Sequence, residues 1–288
     1  MAKYIGTYPN VAAVTADLAA QNLSRPFVVL TQDNDRVLYG PKLDLAKVGD
    51  IAVYSVAADQ IYYIKKANYN TTTYPTASYV PIGVVCKNQE QSVTTGVSED
   101  VKVMNLKWLS AGHPDSGEDT KPSYKNMMTS CTNLTNIIQS ASVEAALITD
   151  IGRANNDSII EQVTTPADWK TANTLTSSTD GSRGIPYVLA WRWHTAGTER
   201  GDWYIPSAYD LANLSNSDNR EILNESFTAV GGSLLDATND GLAGGRCCTS
   251  SFCDNNLIFL GTNSFFVNTY WGNASARCIL SLSITELV

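Results

Sequence analysis

Charge is scarce in this sequence. Only 17% of its 288 residues are Asp, Glu, Lys or Arg. With hydrophobic residues at 43%, the surface must be built largely from Ser, Thr, Asn and Gly. Lys and Arg are nowhere clustered and the formal net charge is -8. That argues against nucleic acid as a partner, because neutralising phosphates takes a basic patch, and it gives no attraction to anionic membrane surfaces. Long apolar runs are missing too. Stretches such as Phe27 to Leu30 fall far below the roughly 20 residues that span a bilayer, so no membrane insertion is expected. The N-terminus, MAKYIGTYPN, has Lys3 but no apolar core behind it, which predicts no signal peptide and synthesis in a bacterial cytoplasm.

Catalytic signatures are equally sparse. The two histidines are His113, beside Pro114, and His194, in an aromatic run with Trp191 and Trp193. The second is expected to be a packed or hydrogen-bonded core residue rather than a base. There is no His-Glu-x-x-His pair, phosphate-binding loop or nucleophile elbow. Six cysteines occur: Cys86, Cys131, Cys247, Cys248, Cys253 and Cys278. Without an export signal, and with no second Cys or His pair to complete a zinc site, they are expected to be buried free thiols. No cofactor and no metal is indicated.

What is present divides into two halves. Residues 1–95 read as a small β-rich attachment or oligomerisation module. Asn10 to Gln21 places Val11, Val14 and Leu18 at helical spacing. Phe27 to Leu30, a polar break at Asp33 to Asp35, and Val37 to Tyr39 make a hairpin signature. Gly49-Asp50 opens a strand over Ile51 to Val56, which Gln60 to Lys65 can pair, and Pro81 to Val85 closes the module. Asp50 and the tyrosines fit strand edges and turns. The polar stretch Gln89 to Glu99 is the preferred boundary, and His113 to Ser123 reads as a loop. Residues 96–288 form the second half.

Three segments of that half follow a recognisable order. Thr149 to Ile160 (TDIGRANNDSII) introduces a helix. Gly201 to Leu214 (GDWYIPSAYDLANL) reads as a short buried strand, Trp203 to Ile205, stopped by Pro206. Ser207 then serves as the N-cap of a helix carrying Tyr209, Leu211 and Leu214, with Asp210 as the acidic partner of a capping box. Cys247 to Cys253 (CCTSSFC) precedes a Gly- and Asn-rich stretch that ends in Ala276 to Leu282 (ARCILSL).

Trp-x-x-Pro-Ser before a helix, and Ser-Ser before a terminal Arg-x-x-Leu strand, resemble a known family. It is the C-type lectin-like domains related to formylglycine-generating enzymes, including the variable proteins of diversity-generating retroelements. The resemblance runs from about Val101 to the C-terminus. The sequence departs from it at Cys247-Cys248-Thr249, where the family often has Tyr-Trp-Ser, and at Asp210, where Glu is commoner. Val48 to Ser55 and Tyr74 to Cys86 also resemble N-terminal modules of fibre-like phage proteins. The resemblance implies an α+β fold, a C-type lectin-like C-terminal domain behind the β-rich module. It further implies a non-enzymatic virion-surface adhesin of tail-fibre type, a homotrimer. Its expected partners are a host cell-surface protein or glycan and, through the N-terminal module, other virion structural proteins.

In such retroelements mutagenesis falls on adenines, so a position that begins as an Asn codon never becomes Lys, Glu, Gln, Met or Trp. The chain holds 37 of those five residues, so about eight would be expected between Ser226 and Thr285; Trp271 is the one that occurs there. Between Phe252 and Arg277, aromatic residues alternate with Asn, a mixture that suits a binding face. The expected ligand-binding residues are Phe252, Asp254, Asn255, Asn256, Asn263, Phe265, Asn268, Tyr270 and Asn273, with Phe259, Phe266 and Trp271 turned into the core. Two alternatives stay open. One is a fixed-specificity carbohydrate-binding lectin-like protein, with or without calcium at Asp254 to Asn256. The other is a formylglycine-generating-type oxidase using Cys248, Cys253 and Cys278, with Cys253 reactive and accessible.

Overall fold

The computed structural model describes residues 7–8, 27–31, 36–39, 46–87, 101–109, 135–162, 185–235, 247–261, 264–268 and 276–282. For the strands before residue 40, and for Ile185 and Asn268, it describes the backbone alone. The expected helix over Asn10 to Gln21, the loop His113 to Ser123 and the boundary segment Gln89 to Glu99 lie outside the described residues.

The fold is α+β, with three sheets among the described residues. Strand β1 (Thr7–Tyr8) pairs in parallel with β2 (Phe27–Thr31), and β2 pairs antiparallel with β3 (Arg36–Tyr39), Val29 opposite Val37. That is the expected hairpin. The second expected hairpin is also present: β4 (Ile51–Ser55) and β5 (Gln60–Ile64) pair Ile51 with Ile64. Their entry turn uses Gly49 at φ 95 and Asp50, whose carboxylate accepts from the Lys47 amide at 2.8 Å and the Lys66 amide at 3.3 Å.

Strand β4 continues to β6 (Tyr79–Lys87), then β7 (Val101–Asn105), β13 (Ile279–Leu282) and β9 (Trp203–Tyr204), making a six-stranded sheet in the order β5-β4-β6-β7-β13-β9. Strands β6 and β7 flank the expected division at about residue 95 and are paired directly, Val84 opposite Met104. One sheet therefore runs through that division. The reason lies in the strands themselves. Val84, Val85, Val101 and Val103 are all fully buried, Val84 in one core and the other three in another, so both strands are covered on both faces, as strands in the interior of a sheet are.

The four-stranded sheet has the order β12-β11-β10-β8, from Phe265–Asn268, Asn256–Leu260, Cys247–Cys253 and Gln139–Ser140. Of the helices, α1 is Val143–Ala146, α2 Gly152–Gln162, α3 Ile185–Arg192 and α4 Ser217–Ala229. The main core joins Val85, Val103 and Tyr63 of the large sheet to Tyr187, Val188 and Leu189 of α3 and to Phe252, Leu257 and Phe259 of the smaller sheet. A second core sets Val84, Met104 and Ile279 against Leu223 and Phe227 of α4.

The expected helix after Ser207 takes a different form. Ser207 and Asp210 do close the capping box: the Ser207 amide donates to Asp210 Oδ2 at 2.8 Å, and the Asp210 amide donates to Ser207 Oγ at 3.2 Å. Beyond the box the chain makes a turn and a short 3-10 helix, Ala212–Ser215, before a second cap at Asn216 starts α4. The buried box is held from outside the segment, because Ala208 donates its amide to Ser251 Oγ at 2.9 Å. Tertiary bonding thus replaces the second turn.

Candidate functional site

The three segments that carry the resemblance meet in space. Asn155 of α2 clasps the Ile138 backbone from both sides, accepting at 2.8 Å and donating at 2.9 Å, and donates again to the Ser250 carbonyl at 2.8 Å. Its neighbour Asn156 accepts from the Ile205 amide at 3.0 Å and donates to the Ile205 carbonyl at 2.7 Å. Ser250 completes the seam, its amide donating to the Pro206 carbonyl at 2.8 Å and its hydroxyl to Ile205 at 2.9 Å. Asn155, Asn156, Ser250 and Ser251 are buried, so each bond satisfies a backbone group that water cannot reach. Gly152 is required here: a Cβ would lie 2.8 Å from Asp210 Oδ2 and 3.1 Å from the Ser207 amide. The motif residues are therefore scaffold.

Arg277, the arginine of the terminal motif, is likewise structural. It is fully buried, donates to the carbonyls of Asn105 (2.6 Å), Leu106 (2.6 Å) and Ser233 (3.0 Å), and lies 3.9 Å from the centre of the Phe227 ring. Its planar fork suits this use, binding several carbonyls at once while stacking on an aromatic face.

A cleft of about 740 Å³ opens beside the seam, lined among others by Lys102, Asp150, Arg153, Asp202 and Tyr204. At its floor the Lys102 ammonium donates to Asp150 Oδ2 (2.9 Å), Tyr204 OH (3.2 Å) and Ser281 Oγ (3.3 Å), and Asp210 Oδ1 lies 3.6 Å away. Burial pushes this ammonium toward neutrality, but the carboxylates of Asp210 and Asp150, the latter also hydrogen-bonded to it, outweigh burial and hold its pKa above the ordinary range. Lys102 therefore stays cationic with all three donors occupied, and offers no free amine for nucleophilic or base chemistry. Sequence reasoning did not single out Lys102. The only signal was a lysine inside a strand whose other residues are mostly apolar.

The expected ligand-binding residues divide. Asp254 and Asn255 form the two-residue turn between β10 and β11, with φ of 47 and 60, and both are exposed. Two successive left-handed residues match the twist of a tight hairpin, and Asp and Asn tolerate that conformation best after glycine. Asn255 is tied to β8: its amide donates to Gln139 Oε1 at 2.7 Å and its side chain accepts from Gln139 Nε2 at 2.6 Å. Asn256 is half-buried and donates to the Asp254 carbonyl at 2.8 Å. Register brings Asn268, opposite Leu257, to this same end of the sheet, while Phe265, opposite Leu260, sits toward the other end, half-buried.

Phe252 corrects the expectation. It is fully buried in the main core with Leu257 and Phe259, and the other face of β10 is covered too, Cys253 packing with Ile258, Ala146 and Ala208, so alternation gives it no outward face. Phe259 is buried as expected, and Phe266 is half-buried against it, ring centres 6.1 Å apart. Asn263, Tyr270, Trp271 and Asn273 lie outside the described residues. On edge strand β12 Val267 is exposed, as is Ser264 just before the strand.

Five cysteines are free and buried: Cys86, Cys247, Cys248, Cys253 and Cys278; Cys131 lies outside the described residues. Burial pushes the Cys86 thiol up to about 12, with Asp210 adding to the effect, and pushes Cys247 up to about 12 despite Arg277. The Cys253 thiol is also raised, by burial and then by Asp254 and Glu144. A raised pKa suppresses the thiolate that thiol chemistry requires. No group of His, Cys, Asp and Glu among the described residues is arranged to hold a metal ion. His194 is exposed rather than packed in the core, its Nδ1 3.0 Å from the Arg192 carbonyl. No helix among the described residues is long and apolar enough to cross a membrane. No protein-family model, curated protein or solved structure matches the chain.

Proposed function

We propose that this chain is a non-enzymatic recognition protein, a virion-surface adhesin with a C-type lectin-like ligand-binding domain of the kind diversified by retroelements. Its ligand is a host cell-surface protein or glycan. Its N-terminal residues attach it to other virion structural proteins, and it acts as a homotrimer, which raises avidity without new contacts.

The observation that carries this reading is the contrast along one strand. Strand β10 is buried from Cys247 to Cys253, and the turn it ends in is exposed at Asp254 and Asn255. A diversified face needs this combination: a support that does not change, and side chains that can be replaced without disturbing it. The pKa directions of the thiols favour binding over a formylglycine-type oxidation, which would need a reactive Cys253.

The test is to sequence the DNA downstream of the gene. The expected result is an adenine-rich near-copy of the Phe252 to Leu282 coding region beside a reverse transcriptase. Its mismatches should be confined to adenines and should include the Asp254 codon, with template adenines retained at Asn256, but should not include the codon of the core residue Phe252. Absence of such a copy would overturn diversification and leave a fixed-specificity lectin-like structural protein.

A further inference from the structure

The connection from β5 to β6 runs from residue 65 to residue 78, far longer than the usual link of about 4–6 residues, and it is ordered by its own hydrogen bonds. A 3-10 turn at Lys66–Asn68 brings the Tyr69 amide onto the Lys65 carbonyl at 3.1 Å. Asn70 Oδ1 accepts from Thr73 at 2.8 Å, and the Asn70 carbonyl accepts from Tyr74 at 2.9 Å. The Pro75 carbonyl accepts from Ser78 at 2.9 Å and Tyr79 at 2.8 Å. This loop folds Tyr69 and Tyr74 onto a sheet face whose strands supply the buried Ile51, Val53 and Ile64. Tyr62 of β5 and Tyr79 of β6 join them there.

All four tyrosines are half-buried, neither core nor free surface. The Tyr69 and Tyr74 rings are parallel within 4° at 6.4 Å, and Tyr79 meets Tyr74 edge-on at 5.4 Å. Tyr62, Tyr74 and Tyr79, though not Tyr69, border a groove of about 330 Å³ lined also by Val53, Ser55 and Ile64, with no charged side chain lining it.

We propose that this groove binds a neutral glycan. A pyranose ring presents a C–H face, which stacks on the negative face of an aromatic ring, and a rim of hydroxyls, which the phenols and Ser55 can bond. Tyr62 donates its phenol proton to Gln60 Oε1 at 3.3 Å, which leaves its oxygen as an acceptor for a sugar hydroxyl. An ionised ligand would need an opposite charge that the lining lacks, and an anionic polysaccharide would also be repelled by a chain of net charge -8. A polyproline segment repeats about every 9 Å and needs aromatic ridges set that far apart; here the rings touch as one wall. The inference does not depend on the reading of the C-terminal hairpin.

The test is affinity electrophoresis of the full chain in gels holding mannan, xylan, β-glucan or dextran, with polygalacturonate and a proline-rich peptide as comparators. Retardation by at least one neutral polysaccharide is expected, weakened tenfold or more by Tyr74→Ala. Ala58→Arg, which places charge and bulk at an exposed lining residue without removing packing, should block the groove equally and guards against a folding defect in the tyrosine variant. No retardation by any neutral polysaccharide overturns the proposal. So does retardation untouched by Ala58→Arg, or a preference for polygalacturonate or the peptide.

Discussion

Two stretches a few residues apart use the same polar vocabulary in opposite ways. From Thr249 to Ser251, and across at Asn155 and Asn156, hydroxyls and amides are buried and each bonds a neighbouring backbone. From Asp254 to Asn256, carboxylate and amides sit at a turn where water can replace any partner they lose. Residue type does not separate these roles. Burial does, because an unmet polar group costs about 1–3 kcal/mol inside a protein and almost nothing at its surface. A surface that is to vary must therefore be built from the second stretch and braced by the first.

The contrast is open to test, and the largest effect should come from alkali. In the unfolded chain, thiols ionise near their ordinary value of 9.0, whereas burial keeps Cys86 and Cys247 protonated until about 12. The native state therefore holds its full advantage below about pH 9 and loses it as pH rises from 9 to 12. Denaturant titrations across that window should show stability falling steeply, and Cys86→Ala with Cys247→Ala should flatten the slope whatever it does at pH 7. An unchanged slope would mean that these thiols are not buried.

The next effect separates two phenylalanines that the sequence placed on one face. Phe252→Ala should cost about 3–5 kcal/mol by chemical denaturation, the range for emptying an aromatic site in a core; Phe265→Ser should cost less than half as much. Equal losses would erase the distinction between strand interior and rim. The smallest effect belongs to the turn. Asp254→Ala should cost about 1 kcal/mol, because alanine has no local bond to compensate a left-handed backbone, whereas Asp254→Gly should leave the thermal midpoint nearly unchanged.

Much of the local structure was legible in the sequence. The hairpins at Phe27 to Tyr39 and Ile51 to Ile64 follow from β-branched runs separated by turn residues, and both occur where the pattern puts them. The Ser207–Asp210 box is read directly from its spacing. Illegible were the facts that depend on a distant neighbour. Lys102 carries no mark in the sequence of the role it takes once Asp150, Asp210 and Ser281, far away in the chain, enclose it. Phe252 reads as one side of an alternating strand until separate cores cover both faces of β10. Tyr69 and Tyr74 read as loop residues until their loop folds onto the sheet.

By itself, then, the sequence determined the paired strands and the capping box. Each depends on residue type and on spacings of a few positions, where sterics and short hydrogen bonds act locally. Tertiary structure alone decided that strands on either side of residue 95 share one sheet, that the motif asparagines and Arg277 serve as braces, and which aromatic side chains meet water. Those outcomes are set by burial, and burial is a property of what the rest of the chain places alongside.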